Sequence, residues 1–401
     1  MDVKFNHIES LCASEPKLSN STEAHQNPIF ASSTFKFESI EEGMEIFQSQ
    51  PGKHVYTRYG NPGIESVAQK IADLESFGTN YNAYGLLTSS GMAALYVALT
   101  SITESGNLLI TQGNLYGGTT ELLHKIITKH GIQVLILDLA DEFALETALK
   151  TNEGLSKTIL VETPSNPTLQ CIHLKSICKL AKKYDTKIVV DNTFATPILQ
   201  RPLNFGADVV IHSTTKYIHG HGLSTGGVVV CAEEKLHKKA WEIMKLVGCN
   251  SNPYDAWLIN TGMKTLSLRI NQQSNNAHFL AQKLQNHSKI TKVNYPGLES
   301  HATHNIAKEQ MHLFGAMLSF SVGSTLEDAK LFCNRLHHCS LAPSLGETDT
   351  MVLHPASMSH LKVPSEIRKQ YGITDNLIRL SVGLEHPEDI LADIEQSIAV
   401  I

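Results

Sequence analysis

The sequence predicts an α/β protein, and three observations carry that prediction. Short aliphatic runs recur, each closed by small or polar residues. Lys187–Val190 ends at Asp191-Asn192-Thr193, and Ala207–Ile211 ends at His212-Ser213-Thr214-Thr215-Lys216. Such runs read as buried strands. Stretches with helical apolar spacing lie between them, at a pace that suits a sheet covered by helices. The polar residues collect at the strand ends, and ligands of open α/β sheets sit beyond those ends.

The 401 residues suffice for two domains and a substantial core. Hydrophobic residues make up 42% and charged residues 18%, an ordinary balance for a globular enzyme. A net charge of −6 without a basic run argues against nucleic acid as a partner. The 7 cysteines are scattered, odd in number and free of a CxxC pair. They suit a reducing cytosol rather than a disulfide framework, so a cytoplasmic location is expected. The first residues lack the apolar core of a signal peptide, and no window approaches a membrane span, so no membrane partner is expected.

Taken in order, residues 1–60 are irregular apart from one short helix near Ser39–Gln48. Gly60-Asn61-Pro62-Gly63 is a turn signal, and a helix follows from Ile64 to Phe77. Tyr84–Thr88 reads as a strand, a small-residue turn follows, and a helix starts near Gly91. The strand Leu108–Thr111 leads through a glycine-rich turn to a helix ending at His130. Strands are expected at Val134–Asp138, Thr158–Val161 and Val228–Cys231, with helices at Glu142–Lys150, Leu174–Tyr184 and Lys235–Leu246. From Pro253 one long helix is predicted through Arg269 to Leu284, bridging to a second domain. That domain has strands near Val293–Tyr295, Ala316–Ser321 and Ile378–Ser381. Its helices lie near Ala302–Gln310, Leu326–His337 and Pro387–Ile398.

Several of these strand ends carry chemistry. An amine (Lys216) and an acid (Asp191) arrive at one crevice. A lysine among small hydroxyl residues can form a Schiff base with a carbonyl. Pyridoxal phosphate needs such a lysine and a carboxylate for its ring nitrogen. Ser213 and Thr215 could then donate to its phosphate. Read singly, Lys216 is a loop lysine and Asp191 a turn residue; read together they favour the cofactor. Gly91 opens a helix whose free N–H groups form an anion site, or it allows close packing of helix on sheet. Tyr56 and Arg58, two apart in extended chain, form a phosphate clamp or belong to a structural loop. Tyr116 either stacks on a flat ligand or packs in its turn. Asn166 is a polar strand-end residue or part of an Asn-Pro turn. Arg379 lies among apolar strand neighbours and needs a partner, either a substrate carboxylate or a structural anion. No metal is expected. His219 and His221 lack further ligands, and the Cys333, His337, His338, Cys339 group reads as helix-face residues.

Together these residues describe a pyridoxal-phosphate enzyme acting on an amino acid. The motifs YTRYGNP (from Tyr56), SGMAA (from Ser90), YGGT (from Tyr116), ETPSNP (from Glu162), DNTFATP (from Asp191), STTKY (from Ser213) and RLSVGLE (from Arg379) extend this reading. In that order they resemble the trans-sulfuration, or Cys/Met-metabolism, enzymes, from about residue 20 to the end. The resemblance implies the aspartate-aminotransferase type of fold, fold type I. An N-terminal arm (1–62) would precede a large mixed-sheet cofactor domain (63–258) and a small C-terminal α/β domain (259–401). It implies that Lys216 carries the cofactor, that Asp191 pairs with the ring nitrogen, and that Gly91, Met92, Ser213 and Thr215 hold the phosphate. Asn166 and Thr193 would lie beside the cofactor. Tyr116 would stack and assist proton transfer, and Arg379, with Ser344, would bind the substrate carboxylate. Tyr56 and Arg58 would come from a neighbouring subunit, in homodimers paired into a homotetramer.

The implied reaction is γ-elimination or γ-replacement on a sulfur amino acid or homoserine ester, of the methionine γ-lyase or cystathionine γ-synthase and sulfhydrylase type. Ser344–His360 and Asn252–Trp257 lean towards that group. Gly118 stands where methionine γ-lyases usually carry cysteine, and Pro343 where cystathionine-handling members usually carry glutamate. Cystathionine γ-lyase and β-lyase are the alternatives; Phe194, where the β-lyases carry tryptophan, speaks against the latter. A non-catalytic regulatory protein on the same fold and a transaminase are readings of other classes.

Overall fold

The computed structural model describes residues 5–18, 23–48 and 53–401. Parts of the expected arm, 1–4, 19–22 and 49–52, lie outside the described residues. Two mixed sheets organise the chain. The first holds β1 (Tyr84–Thr88), β2 (Leu108–Thr111), β3 (Gln133–Ile136), β4 (Lys157–Glu162), β5 (Lys187–Asp191), β6 (Val209–His212) and β7 (Gly227–Cys231). Their order is β1-β7-β6-β5-β4-β2-β3. Neighbours pair in parallel except β7, which is antiparallel to both β1 and β6.

The strand sequences dictate this placement. β4 and β7 are buried along their whole length, as a strand covered on both faces must be. β3, at the edge, is only partly buried. The helix Pro62–Glu75 starts as its sequence prescribes: the Asn61 side chain accepts from Gly63 N at 3.1 Å and Pro62 takes the first turn. Asn252 and Pro253 repeat the device for the helix Pro253–Met263. Ser39 caps the helix Ile40–Phe47 that was expected near there.

The second sheet runs β10-β11-β12-β9-β8, from β8 (Ile290–Asn294), β9 (Met317–Val322), β10 (Ser340–Leu341), β11 (Met351–Leu353) and β12 (Leu377–Ser381). The pair β10 and β11 was not anticipated. Each is too short to show a period, and both sit in a polar stretch.

The long helix expected from Pro253 to Leu284 is two helices, Pro253–Met263 and Leu266–Leu284. The break has a physical cause. Gly262 presses on His219, where an added Cβ would lie 2.0 Å from the carbonyl oxygen. The Arg269 guanidinium takes the Gly262 carbonyl at 2.8 Å and the Tyr217 carbonyl at 2.9 Å. The second helix then serves both cores. Leu266 and Ile270 pack under the first sheet, while Ala277, Leu280, Ala281 and Leu284 pack under the second.

Cys333 and Cys339 are buried in the second core. No group of ligands able to hold a metal occurs among the described residues. The backbone N–H groups of His337, His338 and Cys339 instead converge on Asp393, each at 2.9 Å. Burial works against ionisation of this carboxyl. The three donors, joined by Gln396, outweigh it and hold its pKa down at about 2. Asp393→Asn should therefore cost roughly 2–3 kcal/mol in denaturant unfolding at neutral pH. A depressed carboxylate pKa contributes stability above its ordinary range and loses it as pH falls through the folded value. The gap between the two proteins should accordingly close as pH drops from the ordinary value of 3.8 towards 2.

Candidate active site

Three parallel strands end side by side and aim polar residues at one cavity. In the pairing of β4 with β5, Glu162 stands opposite Asp191. β6 ends at His212, and Ser213 to Lys216 follow in a tight turn in which Lys216 N donates to Ser213 O at 3.2 Å. His212 itself turns away and meets Glu75 at 2.6 Å, both fully buried. The cavity has a volume of about 620 Å³.

The structure brings most of the expected residues to that cavity. Gly91, Met92, Tyr116, Asn166, Asp191, Thr193, Ser213, Thr215, Lys216 and Arg379 all line it. Ser344 stands between the lining residues Pro343 and Leu345 and accepts a hydrogen bond from Lys216 Nζ at 3.2 Å. Tyr56 and Arg58 do not line it. Arg58 lies over the rings of Tyr56 and Tyr59 and donates to the Lys245 carbonyl. A larger cleft of about 1,110 Å³, near Tyr371 and His301, shares no residue with this cavity.

The electrostatics are divided. On one side are two acids, Glu162 buried and Asp191 partly buried. Asp191 has its pKa raised by burial, against the opposing bonds from Thr193 and the charge of His212. Its Oδ1 accepts from Thr193 N at 3.0 Å. Glu162 is pushed up by burial and by Asp191 beside it. On the other side are two cations, Arg379 buried and Lys216 partly buried. Lys216 is driven below the usual lysine range by burial and by Arg379, with Glu347 pulling the other way. Arg379, also pushed down by burial, to about 10, donates to Ser344 O at 2.8 Å and Asn166 Oδ1 at 3.4 Å. Its buried Nε has no hydrogen-bond partner.

These residues fit pyridoxal phosphate. The start of the helix Gly91–Ile102, which Ser90 caps by accepting from Ala93 N, would serve as the phosphate cradle. It is drawn so close that a Cβ at Gly91 would lie 2.6 Å from Ser213 Cβ, and one at Gly227 would lie 2.2 Å from Ser90 O. The Thr215 hydroxyl is fixed by Gly226 N at 2.9 Å, and the Thr193 hydroxyl accepts from Ser213 N at 2.9 Å. Asp191 would supply the carboxylate a protonated ring nitrogen requires, and Lys216 the amine. Tyr116 supplies a ring that is 45% exposed. Gly118 leaves that ring its space, since a Cβ there would lie 2.5 Å from Tyr116 Cε1.

Two residues were missed from sequence. Glu162 closes an apolar run just as Asp191 does, and that shared position was the available signal. Arg269, which holds the backbone after Lys216, is 4% exposed on a polar-looking helix and gave none.

A sequence model described as Cys/Met metabolism PLP-dependent enzyme matches residues 10–399. An L-methionine gamma-lyase of Fusobacterium nucleatum subsp. polymorphum is 42% identical over 93% of each chain. A cystathionine beta-lyase of Lactococcus lactis subsp. cremoris is 40% identical over 92% of this chain and 93% of the relative. Among solved structures, a cystathionine gamma synthase of Xanthomonas oryzae pv. oryzae superposes with a TM-score of 0.91 at 34% identity. That match covers 99% of this chain and 98% of the other.

Gly91→Ala tests the cradle. Its methyl group would force Ser213 aside, so cofactor capture by apo-protein should weaken by about tenfold, or about 1.4 kcal/mol. Fluorescence titration with pyridoxal phosphate measures it.

Proposed function

The chain belongs to the Cys/Met metabolism PLP-dependent enzymes, and on that footing we propose that it removes or exchanges the γ-substituent of a sulfur amino acid or homoserine ester. The observation that carries the proposal is the Lys216, Ser344, Arg379 group facing Asp191 across one cavity. When bound, the cofactor supplies an electron sink that makes the Cα proton, and then a Cβ proton, acidic enough to remove.

The chain's own residues do the rest. Asp191 keeps a proton on the ring nitrogen. Gly91, Met92, Ser213 and Thr215 grip the phosphate, while Asn166 and Thr193 border the ring. Arg379, which lines the cavity and whose buried Nε has no other partner, clamps the substrate carboxylate. The Lys216 amine, held below its usual range by burial and by the Arg379 charge, takes the Cα proton as a base poised nearer neutrality. Ser344 aligns that amine through its hydroxyl and the guanidinium through its carbonyl. Tyr116 covers the ring and moves a proton towards the leaving group.

The same proposal includes the assembly. Residues 1–62 serve as an arm, 63–258 carry the cofactor and 259–401 complete the substrate side. Tyr56 and Arg58, off the cavity of their own chain, serve a neighbouring subunit's phosphate in a homodimer, and pairs of dimers form a homotetramer in the cytoplasm. β-Elimination is the second reading, because a relative at 40% identity is named cystathionine beta-lyase.

A substrate panel decides the reaction. It contains methionine, cystathionine, homocysteine, O-acetylhomoserine and O-succinylhomoserine, each with and without sulfide or cysteine. 2-Oxobutyrate from methionine alone marks a lyase. Product only from an ester and a thiol together marks a synthase or sulfhydrylase. Pyruvate from cystathionine overturns the γ-reading. Lys216→Ala, run alongside, should lose both turnover and the cofactor absorbance near ~420 nm.

Complementation tests the shared site. Arg58→Ala and Lys216→Ala chains should each be nearly inactive. Remixed after dissociation, they form dimers with one intact site and should recover about a quarter of wild-type activity. Recovery no greater than the sum of the parents would place Arg58 in its own chain's site.

A further inference from the structure

We propose that Glu162 is a positioning residue for the reaction, its carboxylate fastening the turns of Tyr116 and Asn166 to the strand end beside Asp191. The proposal deepens the functional reading above and rests on it. Its geometry is direct. Glu162 is 7% exposed and lines the cavity. One carboxylate oxygen accepts from Tyr116 N and the other from Asn166 N, both at 2.9 Å. The Glu162 backbone is itself anchored on both sides by the Gln112 amide, at 3.1 Å and 2.9 Å. Gln112 in turn donates to Asn114, and Asn114 to Ser165 in the loop before Asn166.

Tyr116 needs such an anchor. Among the described residues no hydrogen bond holds its phenol, and its ring is 45% exposed. Its place is set by its backbone, and the Glu162 bond fixes that backbone where the helix Gly117–Lys125 begins. Asn166 is the other beneficiary: its side-chain oxygen reaches Arg379 at 3.4 Å. One acid thus governs the ring over the cofactor and, through Asn166, a contact of the carboxylate grip.

The choice of residue is itself informative. A buried carboxylate beside Asp191 is costly, and burial and that neighbour both disfavour its charge. Only a carboxylate offers two acceptor oxygens at this reach. Glutamine would serve one N–H and turn its own NH₂ on the other. A strap needed for folding alone could be built from neutral groups, as Gln112 and Asn114 show nearby.

The test compares Glu162→Gln, Tyr116→Phe and the double variant as holoenzymes. Glu162→Gln should capture pyridoxal phosphate within about threefold of wild type, because cradle and lysine are untouched. Its kcat should fall about tenfold with KM changed less than about threefold. Visible circular dichroism per bound cofactor, which reads the asymmetry imposed by the stacked ring, should at least halve. In the Tyr116→Phe background the same substitution should cost less than about threefold more in kcat, since it acts through a group already altered. Wild-type kcat in Glu162→Gln would overturn the proposal. So would a full tenfold further loss in the double variant, or a loss explained by empty sites with unchanged ellipticity per bound cofactor. If Glu162→Gln does not fold, Glu162→Asp, too short to reach both N–H groups, is read the same way. If the unaltered protein binds cofactor but turns over no substrate in the panel, the functional reading fails, and the ellipticity comparison still decides the role of Glu162.

Discussion

The parallel register of β4, β5 and β6 is the constraint on which the site depends. Parallel neighbours end at one edge, so whatever closes each strand is delivered to one place. Here the closing residues are Glu162, Asp191 and the turn leading to Lys216. Apolar strands that are buried on both faces supply the desolvation, and that desolvation pushes the acids up and the lysine down. The same packing that makes the strands stable therefore makes their ends chemically useful.

The second requirement is to hold a lysine steady in a loop full of glycine. Gly220 and Gly222 both have positive φ, which allows the chain to turn sharply after Lys216. Arg269 then takes the Tyr217 and Ile218 carbonyls, and a Cβ at Gly220 would lie 1.9 Å from its guanidinium. A buried cation with carbonyl partners does here what a strand ladder does elsewhere, satisfying backbone groups that the turn leaves open.

Much of this was legible in the chain. Aliphatic runs with polar stops located β1 and β2 to the residue and the other strands of the first sheet within two positions. Asp191 was legible as an acid closing an apolar run, Lys216 and Ser213 as part of the hydroxyl-rich turn after the next run, and Arg379 as a charge among apolar neighbours, while Thr193 came from the resemblance. What the sequence hid depends on long-range contact. β11 takes its identity from β12 beside it, and β10 from β11. At the break between Met263 and Leu266 the Gly262 carbonyl is taken by the Arg269 guanidinium and by Thr265 N, a pairing that no helical period encodes. Arg269 and Glu162 act on backbone groups, and backbone partners leave no trace in side-chain spacing. Tyr56 and Arg58 were chosen from their spacing in extended chain, only their place in a neighbouring subunit came from the resemblance, and their own chain puts them off the cavity.

The helix Leu266–Leu284 has one more consequence. Its first turns belong to the core beneath Lys216, and its later turns to the core that carries Arg379. Lys216 follows a strand of the first sheet, and Arg379 lies in a strand of the second. The helix is thus a caliper set across the cavity. The span between Lys216 and Arg379 is written in the packing of that rod as much as in the walls of the pocket, so two chains with identical linings need not share a gauge.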